Sequence, residues 1–285
     1  MSRRDVDPEG RMPLLDHLRE LRSRLLKAAL GLVLGALVGF YFFDPIWHFL
    51  QAPYCELDVK KGDDANTCGL VTNGLTQGFF LYLKISLIVG AVLSAPIWLY
   101  QLWAFVAPGL HQREKRWTYT FLVCAVPLFM AGAALSYLTL DKGLEILLGF
   151  TPDGVDPLVS IDSYLGYLIA MLLVFGITFE LPLFVVILNL AGVLKHEKIS
   201  KHRRSIIFGL FVFAAVATPS ADPFTMLALA LPTVVLFEFA ELIAYVHDRR
   251  NRDKPGLYED LDDDETSVIE ETPTSVDGPT SIDAQ

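Results

Sequence analysis

Few side chains in this chain could do chemistry where the sequence puts them. Glu114 follows Pro108-Gly109, at the end of an apolar run that begins near Phe79, and is flanked by Arg113, Lys115 and Arg116. Polarity sets in within about one helical turn of a helix-breaking proline, so a membrane helix leaves the bilayer there. Its carboxylate is held just outside the membrane, where it can bind a cation; the alternative is a solvated loop whose basic residues only fix topology. Trp98, Tyr100, Trp103 and Phe105 crowd the exit as interfacial aromatics do. Glu180 lies inside another apolar run, just before Pro182. A charge there costs about 2.5–3.5 kcal/mol, so Glu180 must be protonated, hydrated or paired. Lys84 is its partner on paper. Counted from the outer helix ends at ~1.5 Å per residue, however, Lys84 lies roughly 8 Å deep and Glu180 roughly 24 Å, so Lys84 is expected to snorkel outward. Cys55 and Cys68 share one polar loop, while Cys124 sits in an apolar run. The first two form a disulfide if their loop faces an oxidising side, and stay free thiols otherwise. There is no CxxC, HExxH or GxSxG, so neither a metal site, a cofactor nor a hydrolase is expected.

These residues need a membrane scaffold. Hydrophobic residues make up 53% of the 285 and mean hydropathy is +0.43, above the roughly 45–50% apolar share of soluble domains. The net charge of −10 is concentrated beyond Val246, where twelve acids face Arg249, Arg250, Arg252 and Lys254, a balance of about −8. The membrane body is nearly neutral, which excludes a basic nucleic-acid-binding surface. The acidic tail, 247–285, has the composition of a disordered cytoplasmic segment.

Ser2-Arg3-Arg4 is followed by Asp5, Asp7 and Glu9 instead of an apolar stretch, so it reads as a topology charge and not as an export signal. From Pro13, a favoured first helical residue, Leu14, Leu18, Leu21 and Leu25 recur along one face, and His17, Glu20 and Arg24 share another. Residues 1–27 are therefore a cytoplasmic N-terminus ending in an amphipathic interfacial helix. Six spans follow within 28–246, at about 28–43, 79–105, 117–140, 164–191, 206–217 and 224–246, judged against the ~20 residues a crossing needs. The last two look short, which predicts an all-α, polytopic, concave cup. Lys and Arg number 19 on one side of these spans and three on the other, so both termini are expected in the cytoplasm. Residues 45–51, with Trp47, then rest on the outer surface, and Cys55 and Cys68 face outward.

The runs SAPIWLYQLWAFVAPGLHQREKR at Ser94–Arg116 and LLDHLRELRSRLL at Leu14–Leu26 closely resemble the TatC family, the receptor subunit of the twin-arginine protein translocase. QAP at Gln51–Pro53, FGITFELP at Phe175–Pro182 and ATPSADPFTM at Ala217–Met226 extend the likeness over about residues 13–246. The resemblance implies a non-enzymatic core subunit in a prokaryotic cytoplasmic membrane. It would bind the arginine-pair signal peptides of folded cargo and work from the proton gradient. Glu20 and Glu114 match the family's two signal-recognition carboxylates, and two acids facing one cleft select two planar guanidiniums. Arg22 and Arg24 either orient those acids or bind lipid phosphate, while Trp103 and Phe105 support the apolar part of the signal or form an interface belt. Implied partners are the single-span subunits TatA and TatB, or a TatA-like equivalent, further copies of the chain, and the bilayer. Outside, Pro53, Asp222, Thr225 and Met226 fall in assembly regions; Asp222 either caps the sixth span or serves assembly. Met226 stands where many members carry a glutamine that helps dock the partners, and Thr225 beside it is the available polar substitute. The rival reading is a proton-coupled secondary transporter using Glu180, but the paired repeats with broken helices that it needs are not seen.

Overall fold

The sequence has no helix breaker stronger than glycine between Leu14 and Tyr41, and in the computed structural model one helix, α1, covers Leu14–Tyr41. The residues described are 14–57, 69–106, 115–152 and 158–252. The interfacial helix and the first span are thus a single element. After a one-residue break comes α2, Phe43–Cys55. Its Pro53 has no N–H to offer the Phe49 carbonyl four residues back, and the Tyr137 hydroxyl donates to that oxygen at 2.7 Å instead. Tyr164 likewise donates to the Leu50 carbonyl, so two tyrosines hold α2 against the bundle.

The second span is expected unbroken but is two helices, α3, Gln77–Leu93, and α4, Ala95–Val106, bent by 59°. Pro96 lacks an N–H and crowds the turn before it, so the ladder stops. The Ser94 N–H closes on the Gly90 carbonyl at 2.9 Å, and the Trp98 indole donates to the Ala91 carbonyl at 2.9 Å. Beyond them lie α5, Lys115–Gly149, and α6, Ile161–Leu190. They are followed by α7, His196–Ala217, and α8, Pro223–Arg252. Ser160 caps α6 by accepting from the Ser163 N–H at 3.2 Å. At the other end Gly192 takes φ +74°. This left-handed residue lets Val193 and Gly192 donate back to Leu188 and Asn189 at 3.0 and 2.8 Å, satisfying carbonyls the helix leaves open.

Among the described residues four helices are long and apolar enough to cross a membrane, or five if α3 and α4 count as one bent span. The last two helices are not short: α7 has 22 residues and α8 has 30. Glu238 is where the apolar run of the sixth span stops, but the helix continues through it. The Arg203 guanidinium of α7 donates to both Glu238 oxygens and lies 3.5 Å from Glu241, so the acids are neutralised across the helix pair.

α1 packs on α3 and α4, α4 on α5, α5 on α6, α6 on α8 and α8 on α7. One apolar cluster, around Tyr54, Ile85, Leu140, Tyr164, Met171 and Phe175, joins α2, α3, α5 and α6. A second, around Leu99, Trp103, Phe121, Phe129 and Ile187, ties α4 to α5 and α6. Lys84 does not simply snorkel: it pairs with Asp162 at the start of α6, which Glu180, far down the same helix, cannot reach.

Candidate functional site

Glu20 stands on α1 with Arg24 one turn on. Its Oε1 accepts from Arg24 Nε at 3.0 Å and Nη2 at 2.5 Å. Such a partly exposed i,i+4 pair contributes only ~0.3–0.5 kcal/mol, so its main effect is to fix the carboxylate. No described residue bonds Oε2. Gly31 and Gly35 follow Glu20 and Arg24 by eleven residues each, about three turns at ~3.6 residues per turn, and so share their face. That face turns inward: a Cβ on Gly31 would meet the Ile97 side chain of α4, and one on Gly35 the Gly90 backbone of α3. The acid is thus presented on the bundle side of α1.

Of the two roles open to Arg22, orienting the acids or binding lipid phosphate, the first is not met at Glu20. Two residues beyond Glu20, Arg22 points about 200° round the helix, on the exposed side with Leu26 and Leu30. Trp103 is 1% exposed, its ring centroid 4.5 Å from that of Phe184 and 6.3 Å from that of Phe121. It fixes α4 from within the core and is not a surface contact. Phe105 lies in the last turn of α4, with its side chain outside the described residues. Glu114 also lies outside them, so the pairing of the two acids is not visible.

Glu180 is 4% exposed, and neither carboxylate oxygen has a hydrogen-bond partner among the described residues. Where α7 turns into α8, Asp222 is the N-cap of α8. Its Oδ1 accepts from the Thr225 N–H at 2.8 Å and its Oδ2 from the Thr225 hydroxyl at 2.5 Å, while Ser220 lies 2.6 Å from that hydroxyl. Pro223 at the first helical position has no N–H to leave unsatisfied. Thr225 is fully buried, and Met226 packs against the main apolar cluster. Burial raises the Asp222 pKa, but hydrogen bonds from Ser220, Thr225 and the Phe224 N–H outweigh it and bring it below the ordinary 3.8. Its stabilisation is therefore full above pH 3.8 and disappears as pH falls through the lower folded-state value. Asp222→Ala should cost about 1 kcal/mol, read as a lowered melting temperature in detergent at neutral pH, with the gap to wild type closing in acid.

Cys55 is disulfide-bonded and Cys124 is a free thiol; Cys68 lies outside the described residues. One polar group escaped the sequence reading. Asp248, grouped with the acidic tail, accepts from the His196 N–H at 2.7 Å and from Asn189 Nδ2 at 3.1 Å. Asn189 in turn donates to the Leu194 carbonyl at 2.9 Å. The acid thus caps α7 from the far end of α8. Its one signal is its position two residues beyond Val246, the last apolar residue of the run.

Residues 16–232 match the family model described as Sec-independent protein translocase protein (TatC). The Sec-independent protein translocase protein TatC of Frankia casuarinae is 49% identical over 92% of this chain and 74% of its own length. That of Escherichia coli K12 is 34% identical over 86% and 94%. A crystal structure described as the twin arginine translocase receptor TatC in DDM superposes with a TM-score of 0.66 at 32% identity, covering 80% of this chain and 99% of that one. The helix order, the glycine-faced α1 that presents Glu20 and these matches agree: the chain belongs to the TatC family of Sec-independent protein translocase proteins.

Proposed function

We propose that the protein is the signal-peptide receptor and core subunit of a twin-arginine translocase, with Glu20 and Glu114 as a two-carboxylate clamp for the arginine pair. The carrying observation is Glu20 itself: one oxygen is held by Arg24, the other takes no bond from a described residue, and the face is the one α1 turns to its neighbours. A guanidinium can take the second oxygen without displacing Arg24, and a charge-assisted bond there supplies ~1.5–3 kcal/mol. Trp103 serves by holding α4, which precedes Glu114 in the chain. The bent α3–α4 pair and α7 complete six crossings of the cytoplasmic membrane. An even number puts both termini on one side, and the 19-to-three excess of Lys and Arg assigns that side to the cytoplasm. Export draws on the proton gradient together with TatA- and TatB-like single-span partners, which meet the outer corner near Pro53, Asp222, Thr225 and Met226.

Photocrosslinking of a twin-arginine signal peptide to the membrane-embedded protein tests the clamp. The Glu20→Ala, Glu114→Ala double variant should lose most of the crosslinked product, and an undiminished yield would remove these acids from recognition.

A further inference from the structure

The two sides of the α1 entrance differ. Glu20 and Arg24 continue upward into the glycine stripe that packs on α3 and α4, whereas Arg19, Arg22, Ser23, Leu26, Lys27 and Leu30 fall at i, i+3, i+4, i+7, i+8 and i+11 along another face. They line one shallow, open depression. Leu26 and Leu30 are 60% and 61% exposed, and the apolar side chains beyond them, Val33, Leu34 and Leu37, are exposed as well. Such an apolar face, uncovered within the chain, suits lipid tails. Arg22 and Lys27 are exposed and make no ion pair or hydrogen bond with another described residue. Cations stand at the headgroup level, a serine hydroxyl stands among them, and leucines continue the face directly toward the hydrocarbon.

We propose that this face binds an anionic glycerophospholipid of the cytoplasmic leaflet. Arg22 and Lys27 would contact the phosphate, Ser23 would donate to it, and an acyl chain would lie over Leu26 and Leu30. Charge complementarity selects the occupant. The inner leaflet carries negative charge, and each basic residue near it adds roughly a fivefold preference for anionic over neutral lipid. A guanidinium meets a phosphate bidentately. The leucines distinguish a lipid from free phosphate, which would gain nothing from them. The site rests on the membrane embedding of α1 and not on signal recognition by Glu20: Arg22 points about 200° away from Glu20, and Lys27, on Glu20's side, lies about two turns further along the helix. Its consequence is mechanical: a lipid clasped there fixes the depth and rotation of α1, and with them the level of Glu20.

The test uses the full chain in phosphatidylcholine vesicles containing a photoactivatable phospholipid with either a phosphatidylglycerol or a phosphatidylcholine headgroup. Crosslinks are mapped by mass spectrometry. Labelling of 19–30 by the phosphatidylglycerol probe should exceed that by the phosphatidylcholine probe. Arg22→Glu with Lys27→Glu should cut it at least about tenfold, while Arg22→Lys with Lys27→Arg retains most of it. Labelling of the lipid-exposed face of α8 in the same sample reports that the variants are inserted and folded. Equal labelling by the two probes, or charge-reversed protein labelled as strongly as wild type, would overturn the proposal. Inorganic phosphate that competes the phosphatidylglycerol probe off as effectively as unlabelled phosphatidylglycerol vesicles would assign the site to a free anion and overturn it too. Signal-peptide crosslinking to the same samples keeps the two questions apart.

Discussion

Gly35→Leu should part α1 from α3, and Gly90→Leu should do the same from the other side. A Cβ at position 35 would lie 2.7 Å from the Gly90 carbonyl oxygen and 2.9 Å from its Cα. One at position 90 would lie 2.6 Å from the Ala36 nitrogen and 2.8 Å from the Leu32 carbonyl oxygen. All of these are backbone atoms, which cannot swing aside as a side-chain end does, so the helices must separate. Overpacking commonly costs ~1–3 kcal/mol, and α1 has little else to hold it, since only 11% of its apolar window is buried. Between helices in lipid, close backbone approach and packing replace the hydrophobic drive that water would supply. We expect a clearly lower melting temperature in mild detergent for each variant and early proteolysis in α1. The double variant should fall short of the sum, because both substitutions break one contact. Unchanged melting and protection in both single variants would show that the crossing does not hold α1 in place.

That crossing was written in the sequence as GLVLGALVG over Gly31–Gly39, a small residue every fourth position, yet counting hydropathy passes over it because glycine scores near neutral. The same counting explains other departures. The run from Phe79 to Phe105 is apolar but for Lys84, Ser86, Ser94 and Gln101, and apolarity carries no record of a missing N–H, so the break before Pro96 is lost in a single span. Glu238 cut the sixth span short on paper because its neutralising partner, Arg203, lies 35 residues away on another helix. Asp248 was indistinguishable from its acidic neighbours until His196 and Asn189 folded against it. Where the partners are local, the sequence was readable: Glu20 with Arg24 is an i,i+4 pair, and Asp222 before Pro223 with Thr225 three residues on is an N-cap pattern. Depth counting rightly separated Lys84 from Glu180 but could not name Asp162 as the partner, since the start of α6 had been placed three residues too late.

Arginine selectivity should vanish when the two acids lose their charge. In the wild-type protein, replacing the arginine pair of a signal peptide by two lysines removes the planar, two-pronged fit to each carboxylate while keeping the charge. Where a pair of charge-assisted bonds is lost at ~1.5–3 kcal/mol, binding weakens by about 10- to 150-fold. Solvent screening at the partly exposed Glu20 moves the figure toward the lower end. In Glu20→Gln with Glu114→Gln the amide oxygens still accept hydrogen bonds but no longer carry the charge that makes guanidinium geometry count, so the arginine and lysine peptides should bind within about twofold of each other. Arg24→Ala separates orientation from charge. It frees Oε1 but removes the anchor at 2.5 Å, so overall affinity should fall while the preference for arginine over lysine survives. Peptide binding to the protein in nanodiscs measures all four combinations of peptide and protein, together with the Arg24 variant, under one salt condition. An arginine-to-lysine ratio that stays the same in the Gln,Gln protein would mean that something other than these carboxylates reads the pair.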